Sequence, residues 1–452
     1  MRACLGLMVV CFCGTAHAQS SETQGVVPQP PIVVDLPVDL PSGDSSASTY
    51  RGRTNYTTAG DALVWVPRVI FAPWYVVTEY GIRIPFYALT AWLDRHYVFA
   101  ALSDVLHPVP DIQWSPAFTI DLGVFAAGGA AVTLSNVLAH GHTINVSAEV
   151  GGPAAWFLSA RDTWRVGPLH LGARGGMFTR SDRLFFGFGP NSGSEGVNFK
   201  QTRFEGFAFA NIDVQNHFYL EVAEGFRVDQ TSPIGSQFTP QPGYGENDLA
   251  MAQADVRLDS RHSSAHTTPN GPPHLIHDQN TGARLVGNVT YGRDVRDSEQ
   301  TFVSATADVE VAVDVSPPDR VLSLRGYLMD AVPLGSEPVP FLEQAMLGWR
   351  NHYGFVWGRF RDEAAVMLEL RYRYPVAYFV DMHLIASVGN VFARDFSDFN
   401  VKKLTSSFGI GLRTRETGMT PIELVVALGS TRFDEQFGIQ SGRVYLSVTE
   451  GL

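Results

Sequence analysis

The sequence predicts an all-β fold: a transmembrane antiparallel β-barrel of roughly sixteen strands, preceded by a short helical segment. Three observations carry this. Alternation of apolar and polar residues with period two recurs from Asp111 to the end of the chain. No charge-free apolar run of about twenty residues follows the first eighteen, so no conventional helical span is present. Glycine (43 residues) and aromatics (12%) are plentiful, as tight turns and interfacial girdles require.

The chain opens on a secretory signal, 1–18. Arg2 is its basic start, Leu5–Cys13 its short apolar run, and Ala16-His-Ala18 its small-x-small cleavage site. All three cysteines, Cys4, Cys11 and Cys13, lie there. Val10 and Phe12 precede the last two where a lipidation signal has small residues, which argues against a lipid anchor. The mature chain is expected to have no thiol chemistry and no disulfide. A net charge of −12 argues against nucleic-acid partners.

Residues 19–58 are low in complexity, with Pro28, Pro30, Pro31, Pro37 and Pro41 before a Ser/Thr/Gly-rich stretch, and read as a disordered linker. Residues 59–110 are apolar and aromatic but broken by Pro67, Pro73 and Pro85, which permits short helices only. Ile84–Leu102 is the best helix. Such an amphipathic segment would lie on the membrane surface or pack into the periplasmic mouth of a barrel; a helix on a soluble core is the plainer alternative.

Residues 111–452 read as the barrel. The expected strands are Ile112–Phe125, Ala130–Leu138, Thr143–Gly151, Trp156–Trp164, Leu169–Phe178, Phe199–Asp213, His217–Phe226, Leu249–Leu258, Gly282–Tyr291, Val303–Val315, Arg320–Met329, Ala364–Tyr374, Tyr378–Phe392, Leu404–Arg413, Pro421–Leu428 and Arg443–Val448. In Val303–Val315 one face is wholly apolar and the other carries Asp308, Glu310 and Asp314. In Ala364–Tyr374 the second face carries Glu369, Arg371 and Arg373. A soluble sandwich would bury the apolar face, whereas a membrane barrel turns it to lipid and keeps the charges in a wet lumen. Alternation alone does not choose between them. Turns at Gly151, Val214, Pro317 and Tyr374 look short, and Asp229–Asn247, Asp259–Thr281 and Val332–Arg361 look long, the short-turn and long-loop pattern of barrels.

Several stretches resemble the bacterial surface antigen family, the barrel of the BamA/TamA superfamily of outer-membrane insertases and translocases. They are Phe360-Arg-Asp362 and the strand after it, Ala386-Ser-Val-Gly-Asn-Val-Phe392, Phe185-Phe-Gly-Phe-Gly-Pro-Asn-Ser192, Leu258-Asp-Ser-Arg261 and Phe408-Gly-Ile-Gly-Leu-Arg413. The likeness runs from about Trp114 to Leu452 and rests on the order of short motifs. It implies sixteen strands and a long loop, before the last five, folded into the lumen. The family's loop tip is Arg-Gly-aromatic, its arginine meeting an aspartate on the second strand beyond. Here Gly354 and Phe355 match, but Tyr353 replaces the arginine and Ser387 the aspartate. The resemblance therefore predicts a lumen loop comprising Gly354, Phe355, Arg359, Phe360, Arg361 and Asp362. Arg350, Arg359 or Arg361 should hold it against inward carboxylates such as Glu369 and Asp381. The closing strand, with Gly442, Tyr445, Leu446 and Val448, resembles the C-terminal signal of barrel proteins, without its terminal aromatic. The soluble periplasmic repeats (POTRA domains) of the insertases are not expected between the signal and the first strand.

No catalytic motif, cofactor or metal is expected. His262, His266, His274 and His277 crowd one long loop at spacings compatible with a metal, but a solvated polar loop with no fixed geometry is the favoured reading. Asp381 and His383 share an inward face without an identifiable nucleophile. The expected activity is insertion or translocation of proteins or lipids at the bacterial outer membrane; a pore or barrel enzyme is the alternative. Expected partners are outer-membrane lipids including lipopolysaccharide, and client outer-membrane proteins.

Overall fold

The computed structural model describes residues 111–447 together with Trp92, His96 and Val109, apart from 122–125, 152–154, 194, 215–216, 235–240, 265–277, 297–298, 317–319, 378–379 and 415–421. The signal, the linker and nearly all of 59–110, including most of the helix expected over 84–102, lie outside the described residues. Within that stretch His96 N–H donates to Trp92 O at 3.1 Å, a bond of helical spacing.

Sixteen long strands form the barrel. They are β1 (Ile112–Asp121), β2 (Ala127–Ser135), β3 (His142–Val150), β4 (Ala155–Val166), β5 (Leu169–Phe185), β6 (Val197–Val214), β7 (Phe218–Pro233), β8 (Glu246–Asp259), β10 (Asp278–Asp294), β11 (Thr301–Ser316), β12 (Arg320–Pro333), β15 (Ala364–Ala377), β16 (Val380–Phe392), β17 (Thr405–Thr414), β18 (Glu423–Arg432) and β19 (Ile439–Ser447). Three short strands complete the set: β9 (His262–Ser264), which pairs with β10, and β13 (Ala345–Leu347) with β14 (Phe360–Asp362), which pair with each other. Each long strand pairs antiparallel with the next, and β19 returns to β1. Among the described residues three registered pairs join β19 to β1, so the sheet is nearly closed, and pairing strands around a barrel is what lets them cross hydrocarbon.

The register fixes the two faces. Val309, Val311, Val313 and Val315 point outward, 42%, 48%, 49% and 53% exposed, while Ala312 between them is 2% exposed. On β15, Leu368 and Leu370 are 48% and 46% exposed while Glu369 is 1% exposed. Apolar outside and charged inside is the inverse of a sandwich, and settles what alternation left open.

The expected strands are all present. The largest errors are at C-terminal ends: β7 runs to Pro233 rather than Phe226 and β5 to Phe185 rather than Phe178. The expected separation of short turns from long loops holds for Val214, Pro317, Tyr374, 229–247 and 332–361, with two exceptions. Counting strands around the barrel, the turn after β3 at Gly151 opens on the same end as the long loop between β12 and β15. The long 260–277 connection opens on the other end, where β1 starts and β19 finishes. Connection length is set by composition, which does not record which end a loop occupies.

Side chains fill much of the interior. Phe207, Phe209, Leu249, Met251 and Phe302 form an inward apolar cluster, and Phe185, Phe199, Phe341 and Leu342 a second.

Candidate functional site: the lumen loop and its cradle

The connection between β12 and β15 folds back inside the barrel. Its base is the β13–β14 hairpin, Ala345 opposite Asp362 and Leu347 opposite Phe360. Gly348 and Gly358 turn the chain at φ of 126° and 69°, a region open to glycine at little cost. Phe355 packs edge-on against Phe360 at 4.9 Å between ring centres, and His352 stacks on Phe355 at 4.7 Å. Phe355, Phe360 and Leu347 are at most 1% exposed. This apolar knot joins Ala365 and Met367 of β15 and Val391 of β16.

The tip docks on hydroxyl groups of the closing strands. His352 Nδ1 lies 2.9 Å from Ser387 Oγ on β16, and its Nε2 3.0 Å from Thr405 Oγ1 on β17. Thr405 already donates to Gly389 O at 2.9 Å, so it accepts from the imidazole, and Ser387 donates to Nδ1. Gly354 N–H donates to Ser407 Oγ at 2.8 Å. Ser441 Oγ donates to Gly354 O at 2.5 Å, and the Tyr445 hydroxyl donates to Phe355 O at 2.7 Å. A Cβ on Gly354 would lie 2.5 Å from the Leu428 and Gly429 backbone, so this close approach requires glycine. His352 is fully buried with no charged group facing it, and burial pushes its pKa down to about 3.

Of the loop arginines, one meets an inward carboxylate, though neither Glu369 nor Asp381. Arg350 reaches Glu423 at 3.9 Å. Arg359 donates to Ser192 Oγ at 2.8 Å and lies over the rings of Phe186 and Phe360. Arg361 donates to Phe341 O, while its Nε and Nη2 have no hydrogen-bond partner among the described residues. Glu369 is answered instead by Arg371 of its own strand at 2.8 Å, and Asp381 by Arg373 of the neighbouring strand at 3.8 Å. These wall charges neutralise one another, so the tip at 352–355 is held by neutral hydrogen bonds and packing, and the loop's charged ties lie elsewhere. The one loop carboxylate that ties it to the far wall is Glu343, 2.9 Å from both Arg203 and Arg227.

Two stretches that carried the family resemblance meet at the loop base: Gly189 N–H donates to Arg361 O at 3.0 Å, beside the Arg359–Ser192 bond. In a third, Arg261 bridges Asp259 at 2.7 Å and Glu310 at 3.0 Å. Asp362 Oδ1 accepts from Glu363 N–H at 2.8 Å, closing the turn into β15. Of the closing-strand residues, Tyr445 points inward to the loop, Gly442 is exposed and Val448 lies outside the described residues. His352, Glu343, Thr405, Ser407 and Ser441 were not singled out from the sequence. Their inward positions in alternating strands were a signal for the last three; no sequence signal marks His352 or Glu343.

Beside the loop a polar cavity of about 770 Å³ is lined by Glu369, Arg371, Arg373, Asp381, His383 and Glu423 on one wall and Arg261, Arg284, Asp308, Glu310 and Arg325 on another. His383 Nε2 stands 3.5 Å from Glu423 Oε1. Among the described residues no three His, Cys, Asp or Glu side chains are grouped to hold a metal. His266, His274 and His277 lie outside the described residues, as does the His262 side chain.

No protein-family model and no curated protein matches the chain. Among solved structures it is similar to BamA from Haemophilus ducreyi lacking POTRA domains 1–3, at 12% identity and a TM-score of 0.53, over 75% of this chain and 70% of that one. It is also similar to CdiB from Acinetobacter baumannii, at 12% identity and a TM-score of 0.48, over 75% of this chain and 60% of that one. With an apolar belt outside, a charged lumen inside and the strand arrangement seen in BamA, this protein is a sixteen-stranded β-barrel of the bacterial outer membrane with a BamA-type fold.

Proposed function

We propose that the barrel inserts or translocates proteins or lipids at the outer membrane by opening between β1 and β19, while the lumen loop stays docked and braces β16 to β19. The observation that carries this reading is the seam. Among the described residues, β1 and β19 share three registered pairs, Thr119 with Ser447, Ile120 with Leu446 and Asp121 with Tyr445. Eight join β1 to β2 and eight join β18 to β19. A short ladder costs less to open, and its backbone groups can then pair with an incoming strand. The protein acts without catalysis on this reading. Its partners are client barrel proteins and outer-membrane lipids, lipopolysaccharide among them.

The test is a disulfide across the seam, Ile120→Cys with Leu446→Cys. Purified protein in liposomes should promote assembly of a reporter barrel protein, the oxidised double variant should not, and reduction should restore it. Undiminished activity in the locked barrel overturns the proposal. The cavity of about 770 Å³ supports a second reading, a pore closed by the loop. Deletion of 349–358 should then raise single-channel conductance several-fold without any effect of the seam disulfide.

A further inference from the structure

The 393–404 connection between β16 and β17 opens on the end of the barrel that carries the lumen loop, and it folds down the outside of the wall. Burial on β16 shows this. Val391 points inward to the loop, so Asn390 and Phe392 on either side of it face outward, yet both are 0% exposed. Ala364, the register partner of Phe392 on β15, is equally covered, while Leu368 and Leu370 lower on that face are half-exposed. The cover is the connection itself. Phe399 packs on Phe392 at 5.1 Å between ring centres, and Asn390 Nδ2 donates to Lys403 O at 2.6 Å. On β12 the outward Asp330 accepts from the Asp395 N–H. Phe396 lines the same outer groove as Leu328, Ala305 and Ala307.

This strap has a fixed frame and a strained backbone. Asp395 and Phe396 both take left-handed φ, 56° and 54°, a conformation that costs any residue with a Cβ. With it the Asp395 N–H reaches Asp330 and the Phe396 ring reaches the groove. Asp398 accepts from the Ala393 N–H at 2.8 Å and from Lys403 Nζ at 2.8 Å. The turn between β18 and β19 is stitched alongside, with Phe433 N–H donating to Leu404 O at 3.0 Å and Asp434 N–H to Lys402 O at 2.8 Å. The frame nevertheless holds apolar side chains in the open: Phe399 is 48% exposed, Val401 58% and Phe433 48%.

We propose that the 393–404 strap is seated in the outer leaflet of the membrane, with Phe399, Val401 and Phe433 meeting lipid in place of the wall beneath. Continuity argues for lipid. The strap lies on the outward faces of β12, β15 and β16, whose lower residues Leu328, Leu368 and Leu370 belong to the oil-facing belt. The covered residues argue the same way. Bare to the leaflet, Asp330 and Asn390 would present a carboxylate and an amide to lipid, where a polar group needs a partner; the strap backbone supplies one to each. Exposed aromatic and aliphatic side chains beside the exposed Arg394 and Lys402 suit the headgroup boundary, where apolar groups sink and cations stay wet. The competing occupant is a second protein, which would first have to displace the lipid that the belt already meets.

No cysteine follows Cys13, so one introduced thiol in the exported protein can carry a nitroxide spin label. The labelled positions are Val401→Cys and Phe433→Cys. Leu368→Cys in the belt is the lipid reference, and Glu337→Cys, exposed on a loop at the same end, is the water reference. Folded, heat-modifiable protein is placed in vesicles of phosphatidylethanolamine and phosphatidylglycerol. Power saturation then compares collision with oxygen, which concentrates in lipid, and with a water-soluble nickel chelate. V401C and F433C should favour oxygen over nickel several-fold more than E337C does, approaching L368C. A V401C label that matches E337C overturns the proposal, whatever F433C shows. So does a V401C label that is wet in the lipid vesicles but immobilised in native outer-membrane vesicles, which would assign the surface to a protein partner.

Discussion

His352 at the tip of the lumen loop and Ser387 on β16 are joined by a hydrogen bond of 2.9 Å inside the barrel. In the family this chain resembles, the tip is held to that position by an arginine and an aspartate. Here both charges are gone and a neutral imidazole spans the gap. Removing both members of a buried ion pair together is far less costly than removing one, because no charge is left stranded.

The histidine bridge is open to a direct test. His352→Ala removes two buried hydrogen bonds and a ring stack and leaves Ser387 unpaired, a loss of about 2–4 kcal/mol in loop docking. Ser387→Ala alone should cost about 1 kcal/mol. Hydrogen exchange of the 349–358 amides measures both, and the double variant should cost less than the sum, since the two side chains form one contact.

Docking should also depend on pH. A solvated histidine titrates near 6.5, whereas the docked His352 is held to about 3 by burial. Between those values the released loop binds a proton that the docked loop does not. Docking is therefore at full strength above about pH 6.5 and weakens below it, by up to about 1.4 kcal/mol per pH unit, until about pH 3. No carboxylate faces the ring; its neighbours are Ser387, Thr405, Phe355 and Phe360. Cysteine accessibility at Asn351→Cys should rise as pH falls from 7.5 to 5. The dependence should vanish in a His352→Gln background.

Gly354 is a steric requirement. A methyl group there meets the backbone of Leu428 and Gly429 at 2.5 Å, which cannot give way without disturbing β18. Gly354→Ala should undock the tip while the barrel stays folded. The expected result is unchanged heat-modifiability with faster proteolysis within 349–358.

Arg361 behaves in the opposite sense. It is 1% exposed, burial pushes its pKa down to about 9, and two of its nitrogens lack hydrogen-bond partners among the described residues. Its desolvation is poorly offset, so Arg361→Met, of similar length, should be neutral or stabilise the folded barrel by about 1–2 kcal/mol. A lowered thermal midpoint would show that the guanidinium contributes more through Phe341 O and the nearby rings than it costs.

The strands were legible because alternation is a local property. Val309 and Glu310 differ in polarity by one step along the chain, and that step is also the difference between lipid and lumen. The loop was legible as a loop, and Gly354 and Phe355 as its tip, by resemblance. Its anchors were not. Arg350, Arg359 or Arg361 was expected on inward carboxylates such as Glu369 and Asp381; those two are taken by Arg371 and Arg373 on the wall, Arg350 reaches Glu423 instead, and the tip is left to hydroxyls. Alternation marks Thr405, Ser407 and Ser441 as inward, but nothing local says which loop atom an inward hydroxyl will meet.

By itself the sequence determined the barrel class, the approximate strands and which face of each strand meets oil. The strands follow from side-chain period and the separation of apolar from charged residues; the choice of a barrel, and with it the oil-facing side, came from the motifs that resemble the family. Only the tertiary structure decided which end each loop occupies and which arginine answers which carboxylate. Those depend on the register between strands far apart in sequence, and register is chosen when the whole sheet closes.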